Sequence, residues 1–234
     1  MIPGVTRTAT HGERPADGRR DRWNDHRARR RAVLVEAGVR AIDKYGAESS
    51  AEEIAATAQV SRTVLYRYFR DKEDLRLAIS RRVVDIVVAE LLPPLRTGKT
   101  ANEIIGGTLD ALTVWVEAHP RLYYFLRQRG TSGEPALGEV EATMADQLAD
   151  LLGGLMEWFG IQTKLAQPAA QSIVGMVEHT IAWWMKVGKL NRPELVAHLG
   201  RAIWDVIDGE LRRSNVTLGP DDPLPLDAAR RQQA

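Results

Sequence analysis

"SAEEIAATAQVSRTVLYRYFRDKEDL", residues 50–75, sets two short helical patterns on either side of a four-residue break. Ser50, with Glu53 three residues on, forms a capping box that predicts a helix over 51–58. Ser61 caps a second helix running through Tyr68, and the acids of "DKEDL" suit the first turn of a long helix from Asp71 to Leu91. Ile54, Ala55, Ala58, Val60, Val64, Leu65 and Phe69 fall where they can pack the short pair onto a preceding helix. Arg62, Thr63, Tyr66 and Arg67 are left facing outward. Two short helices joined by a tight turn make a helix-turn-helix, whose second member can lie in a DNA major groove.

The side chains on that outward row suit the task. Arginine can give two hydrogen bonds to guanine, threonine can meet a base edge, and tyrosine hydroxyls can reach phosphates. Ser61 and the N–H groups it caps turn partial positive charge toward an incoming phosphate, and Lys72 stands at the mouth of the next helix. The chain has six Trp, five Tyr and three Phe, yet three of these, Tyr66, Tyr68 and Phe69, crowd into four positions. Phe69 reads as core; Tyr66 and Tyr68 read as DNA contacts because apolar residues already fill the inward positions. A purely structural role for both tyrosines is the competing reading.

The rest of the 234-residue chain frames this motif. It has no cysteine, which removes disulfides and thiolate metal sites and suits a reducing cytoplasm. No signal-peptide core and no run of about 18 apolar residues is present, so no membrane span is expected. Lys and Arg outnumber Asp and Glu up to residue 82 and are outnumbered beyond it, so a net charge of +1 joins a basic front to an acidic back. A basic front suggests a polyanion as partner.

Residues 1–22 read as a disordered basic arm, 23–70 as the helix-turn-helix domain, 71–213 as a helical domain, and 214–234, with "GPDDPLPLD", as a disordered tail. The first helix spans about Asp25 to Lys44 with Gly46 as its stop, and Pro93-Pro94 closes the long helix. Further helices are expected near 101–118, 120–129, 134–159, 167–188 and 193–213, divided by "HP", "TSGEP" and "NRP". That gives an all-α fold of nine helices.

The stretch from Val33 to Ile79 resembles the TetR family of bacterial transcriptional regulators. The likeness rests on paired aliphatic positions (Val33-Leu34, Ala37-Gly38, Ala41-Ile42), Gly46, Ser49-Ser50, Ile54 to Ala58, Val60-Ser61, Leu65 to Phe69 and Lys72 to Leu75. The resemblance implies that Ser50, Arg62, Thr63, Tyr66, Tyr68 and Lys72 contact double-stranded DNA, with Ser61, Arg67 and Arg30 beside them. Gln59 stands where the family usually has glycine, so the turn must hold a side chain, with mild strain. Ala47 replaces a usual aromatic residue and thins the packing under the first helix.

The resemblance also implies a two-fold homodimer built from the last two long helices, a small-molecule effector pocket and, most often, repression relieved by the effector. "SIVGMVEHTIAWWMKVG" is apolar nearly all round, so both of its sides need cover. Ile173, Val177, Ile181 and Trp184 on it, with Val196, Leu199, Ile203, Trp204 and Ile207 on the last helix, are the expected dimer interface. Trp115, Tyr123, Tyr124, Trp158, Met176, His179 and Trp183 are the expected effector contacts, His179 being the one that also suits a core or interface role. This apolar and aromatic supply, without nearby basic clusters, favours an apolar or aromatic effector over a phosphorylated one.

Two rivals are a helical adaptor that uses its Arg-rich leader at a membrane surface, and an all-helical enzyme. Against the enzyme, the five histidines lack metal-ligand spacing, and no phosphate-binding loop, nucleophile elbow or dinucleotide fingerprint occurs. No cofactor is expected. Carboxylates such as Glu139, Glu141, Asp146 and Asp150 read as solvated helix faces.

Overall fold

The computed structural model describes residues 18–128 and 136–226, with side chains from residue 26 onward. The described residues form nine α-helices and one short 3-10 turn, with no strand. The first three helices, α1 (Gly18–Tyr45), α2 (Ala51–Thr57) and α3 (Arg62–Tyr66), form a head. Its core is Leu34, Ala37, Ala41, Ile42, Ile54, Ala55, Leu65 and Phe69, with Leu65 fully buried. α4 (Lys72–Thr97) leaves the head and runs into a second layer of α5 (Ala101–Ala118), α6 (Pro120–Arg127), α7 (Leu137–Trp158), α8 (Ala166–Val187) and α9 (Arg192–Arg213). α1 crosses α4 at Gly38, where an added Cβ would lie 2.4 Å from the Ile79 Cδ1. A side chain at this position would force the Ile79 side chain to move aside.

Beyond shifts of one or two residues at helix ends, such as α3 stopping at Tyr66 and not Tyr68, three boundaries differ from the sequence reading. α1 begins at Gly18, so residues 18–22 are helical rather than part of an irregular arm; residues 1–17 lie outside the described residues. α4 passes through Pro93-Pro94 to Thr97 instead of stopping before them. The prolines fall in its closing turns, where few carbonyls lose an amide partner. Beyond them the ladder resumes, with the Gly98 amide donating to the Pro94 carbonyl at 3.0 Å and the Thr97 hydroxyl to the Pro93 carbonyl at 2.9 Å.

The third difference is the tail. Residues 215–226 pack as a strap over the start of α5, not as a disordered end. The Leu224 amide donates to the Lys99 carbonyl at 2.8 Å, the Asn102 amide to the Pro220 carbonyl at 2.9 Å, and the Asn102 side-chain amide to Asp221 at 2.6 Å. Leu226 is 7% exposed. Prolines and acids dominate the composition of this segment, but Leu218, Leu224 and Leu226 anchor it, and apolar anchors decide packing more than average polarity does.

Candidate functional site

The turn between α2 and α3 is where the sequence and the backbone conflict. Gln59 has φ +55°. The Val60 amide donates to the Ala55 carbonyl at 2.9 Å and the Gln59 amide to the Ala56 carbonyl at 3.0 Å. This paired closure is a Schellman motif with Gln59 at the left-handed position that favours glycine. The strain expected at this residue is therefore present, and the turn forms nonetheless.

Both caps form as read. Ser50 accepts from the Glu53 amide at 3.2 Å while its own amide donates to the Glu53 carboxylate at 2.7 Å. Ser61 accepts from the Val64 amide at 3.2 Å. Ser61, Arg62, Thr63, Arg67 and Lys72 are exposed, Arg30 is exposed on α1, and Ser50, Tyr66 and Tyr68 are half-buried. Both tyrosines pack on the head core while keeping an exposed part. Phe69 is 1% exposed, a core residue.

Two features of this face carry no obvious sequence signal. Arg62 pairs with Glu52 of α2 at 2.6 Å, with its guanidinium 5.5 Å from the Tyr66 ring centroid. Asp74 ties the corner between α3 and α4: it accepts from the Arg70 amide at 3.0 Å and from Arg31 at 3.1 Å. Arg31 also lies 4.7 Å from the Phe69 ring centroid. The Arg70 amide bond, helped by the two guanidiniums and opposed by burial, holds the Asp74 carboxyl below the ordinary range.

α4, α5, α7, α8, α9 and the strap line a partly open cavity of about 190 Å³ with an almost wholly apolar wall. Leu91, Ile105, Leu109, Met144, Leu152, Trp204, Leu218 and Leu224 are among its lining residues. The expected effector residues divide between this cavity and other places in the fold. Tyr123 lines the cavity, but Trp115, Tyr124, Trp158, Met176, His179 and Trp183 do not. Trp115 is buried elsewhere, its ring 5.6 Å from that of His119. Tyr124, Trp158 and Trp183 are 48%, 47% and 44% exposed.

The expected dimer stripe turns inward as well. Ile173, Val177, Ile181, Ile203, Trp204 and Ile207 line the cavity. Leu199 is buried, Val196 packs partly buried on the core, and the buried Trp184 indole N–H donates to the Leu190 carbonyl at 2.8 Å. On α8 the stripe assigned to a partner therefore faces its own domain, while His179, Trp183 and Val187 are exposed and Met176 packs partly buried on the core. A helix apolar on two sides shows its period but not which side meets its own domain.

Glu141 is the other correction. Glu139, Asp146 and Asp150 are exposed as read, whereas Glu141 is half-buried in the cavity wall. Its carboxyl is pushed above the usual range by burial and by the Glu178 charge, against the pull of Arg127. Arg127 bonds Glu178 and donates to the Tyr123 hydroxyl at 3.1 Å.

α6 joins this polar end to the head. Arg121 donates to the Asp43 and Lys44 carbonyls at 3.0 and 2.7 Å, capping the C-terminus of α1. His119 Nδ1 lies 3.2 Å from the Asp43 carboxylate, and Gln128 bridges Glu48 at 2.7 Å and Arg76 of α4 at 3.3 Å. Among the described residues no group of His, Asp and Glu could hold a metal ion, and no helix is long and apolar enough to cross a membrane.

Residues 34–79, the helix-turn-helix and the start of α4, match the family described as bacterial regulatory proteins, tetR family. Over 198 residues the chain is 32% identical to an uncharacterised HTH-type transcriptional regulator of Mycobacterium tuberculosis, covering 82% of this chain and 83% of that one. The chain belongs to the TetR family. This TetR-family regulator is also 25% identical over 175 residues to the HTH-type transcriptional activator FasR of Mycolicibacterium smegmatis, covering 74% and 80% of the two chains. The fold is shared with a tetR-family regulator from Streptomyces coelicolor (TM-score 0.61, 19% identity, 79% and 90% coverage). It is shared too with FadR of Bacillus subtilis, solved with stearoyl-CoA (TM-score 0.60, 21% identity, 76% and 98% coverage). The helix-turn-helix face therefore belongs to a regulator of transcription.

Proposed function

We propose that this protein is a homodimeric, cytoplasmic repressor released from a pseudo-palindromic DNA site by a largely apolar small molecule. The observation that carries the proposal is the physical continuity of head and cavity. α4 supplies both the head corner, through Asp74, and the cavity wall, through Leu91 and Leu95. An apolar cavity suits an aliphatic or aromatic body, and the fold shared with FadR, which was solved with stearoyl-CoA, points the same way.

Arg62, Thr63 and Tyr66 would read or clamp the duplex, with Ser50, Ser61, Arg67, Tyr68, Lys72 and Arg30 on its phosphates. The dimer would form across the outer faces of α8 and α9, where Trp183 and Val187 are exposed beside Gly175 and His179. Two reading helices about 34–36 Å apart would then meet successive turns of one DNA face. A ligand that fits only one cavity shape shifts the population of head spacings, by a coupling of about 1–3 kcal/mol that acts equally in both directions.

A gel shift tests this. Dimeric protein at nanomolar concentration should retard its own upstream DNA and ignore scrambled DNA, and a cavity ligand should release the complex. Retardation that the ligand leaves unchanged refutes the coupling; a monomer in analytical ultracentrifugation refutes the two-fold reading. The sign of control is read in cells, where deleting the gene should raise the transcript from the bound promoter.

A further inference from the structure

The strap is held differently from the helices that share the cavity with it. It leaves α9 through a left-handed turn at Asn215 (φ +57°), where the Val216 amide donates to the Leu211 carbonyl at 2.9 Å and the Asn215 amide to the Arg212 carbonyl at 3.0 Å. Leu218 and Leu224 then reach the cavity wall, both half-buried, and Leu226 is buried beyond them. The Leu224–Lys99, Asn102–Pro220 and Asn102–Asp221 hydrogen bonds hold the segment to the start of α5, with Asp221, Asp222 and Pro223 exposed. Pro220, Pro223 and Pro225 have no amide proton, so they cannot add rungs to this attachment. α5 and α9 face the same cavity from long helices that their own ladders hold together. Segments with few buried apolar residues and solvent-facing hydrogen bonds open at the lowest free energy.

The size of the cavity makes that difference matter. Its volume of about 190 Å³ is below the roughly 300–1,000 Å³ usual for ligand sites, and not far above the roughly 150 Å³ that accepts benzene in a dry engineered cavity. A larger apolar ligand needs a wall that yields. Resting on the reading of this cavity as the effector site, we propose that residues 215–226 are its movable wall: a ligand that outgrows the present void displaces Leu218 and Leu224 and breaks the Asn102–Asp221 latch. These two leucines and the latch then set which ligand lengths the site takes. Lys99 directly follows the Gly98 cap of α4, so the strap lets go at the end of α4 opposite the head.

The test uses straight-chain alcohols from 1-hexanol to 1-dodecanol, whose hydroxyl can stay at the open side of the cavity. Binding is followed by calorimetry and by fluorescence, since Trp204 lines the cavity. Affinity should rise about fourfold per added carbon among the short alcohols and more slowly once the chain presses on the strap. Hydrogen exchange read by mass spectrometry should quicken roughly tenfold in residues 215–226 with saturating dodecanol and stay unchanged with hexanol. A latch that must break before a long ligand binds opposes that ligand alone. Asn102→Ala should therefore tighten dodecanol binding roughly fivefold and leave hexanol unchanged. Asp221→Ala should do the same, and the double variant should gain no more than either alone. Dodecanol bound with the strap as protected as before, or variants that shift hexanol and dodecanol equally, overturns the movable wall while keeping the cavity as a ligand site. Failure of every alcohol to bind overturns the ligand site itself, and the wall with it.

Discussion

The reading face and the cavity are built on opposite principles. α3 works by leaving its side chains in water: a five-residue helix with one buried residue, Leu65, holds up a row of exposed donors. The cavity works by exclusion: nearly every side chain that lines it is apolar. A surface that must meet a polyanion carries its function in residue types and spacing. A cavity carries its function in shape, which arises only when five helices converge. The first is therefore written in a short stretch of sequence and the second is spread over the chain.

The largest effect should come from the point where the exposed face depends on burial. Leu65→Ala removes the only fully buried anchor of α3 and should cost about 2–5 kcal/mol in the head. Chemical denaturation should show the head melting earlier, with DNA binding lost and ligand binding retained. If ligand binding falls equally, the two regions are one cooperative unit and the contrast between them fails.

Asp74→Asn comes next, because it loosens the corner through which the two regions communicate. Losing the charge-assisted bonds from the Arg70 amide and Arg31 should cost about 1.5–3 kcal/mol at neutral pH. The pH dependence has a definite sign. The folded carboxyl titrates below its unfolded value of about 3.9, so its contribution is complete above that pH and is lost as pH falls through the lower folded value. The stability gap between wild type and variant should close in acid; a gap constant with pH would mean that Asp74 acts by packing alone.

Arg62 separates reading from positioning. Arg62→Ala should lose about 1–3 kcal/mol at particular base pairs, whereas Tyr66→Phe and Lys72→Ala should weaken binding on every sequence alike. Glu52 sharpens the comparison. It occupies the Arg62 guanidinium in the free protein and places a negative charge on the same face. Glu52→Ala should raise affinity for all DNA and narrow the margin between operator and scrambled sites. A uniform loss for Arg62→Ala would make it a phosphate contact.

How legible each part was follows from the same contrast. The caps at Ser50 and Ser61, the stop at Gly46 and the inward run through Leu65 and Phe69 depend on neighbours within one or two turns, and all appear in the structure. The prolines at 93 and 94 read as a stop in sequence, but their cost depends on how close the helix end already is. The stripe of α8 through Ile173 and Ile181 reads as a partner face because both stripes are periodic, and only the packing of α7 and α9 decides which is inside. Glu141 sits one residue beyond the buried Val140 on an otherwise ordinary charged helix, and nothing local tells it from the exposed Glu139. The strap was hidden by its composition, since three leucines outweigh the prolines and acids around them only once Lys99 and Asn102 are there to receive it.

The smallest effect should arise at Gln59, where local signal and final structure meet head-on. A left-handed backbone brings a β-carbon close to the neighbouring carbonyl and costs a non-glycine residue about 1 kcal/mol. The side chain is exposed, so its removal should cost little in packing. Gln59→Gly also loosens the unfolded chain, which offsets part of the gain. A net stabilisation of roughly 0.5 kcal/mol is expected in denaturant unfolding, with affinity for DNA unchanged. A larger gain in affinity than in stability would mean that strain at this turn sets the angle of α3, and that the exposed face is tuned by its backbone as well as by its side chains. A loss of stability would mean that Gln59 makes a compensating contact, and the turn would then be held by its side chain instead of tolerating it.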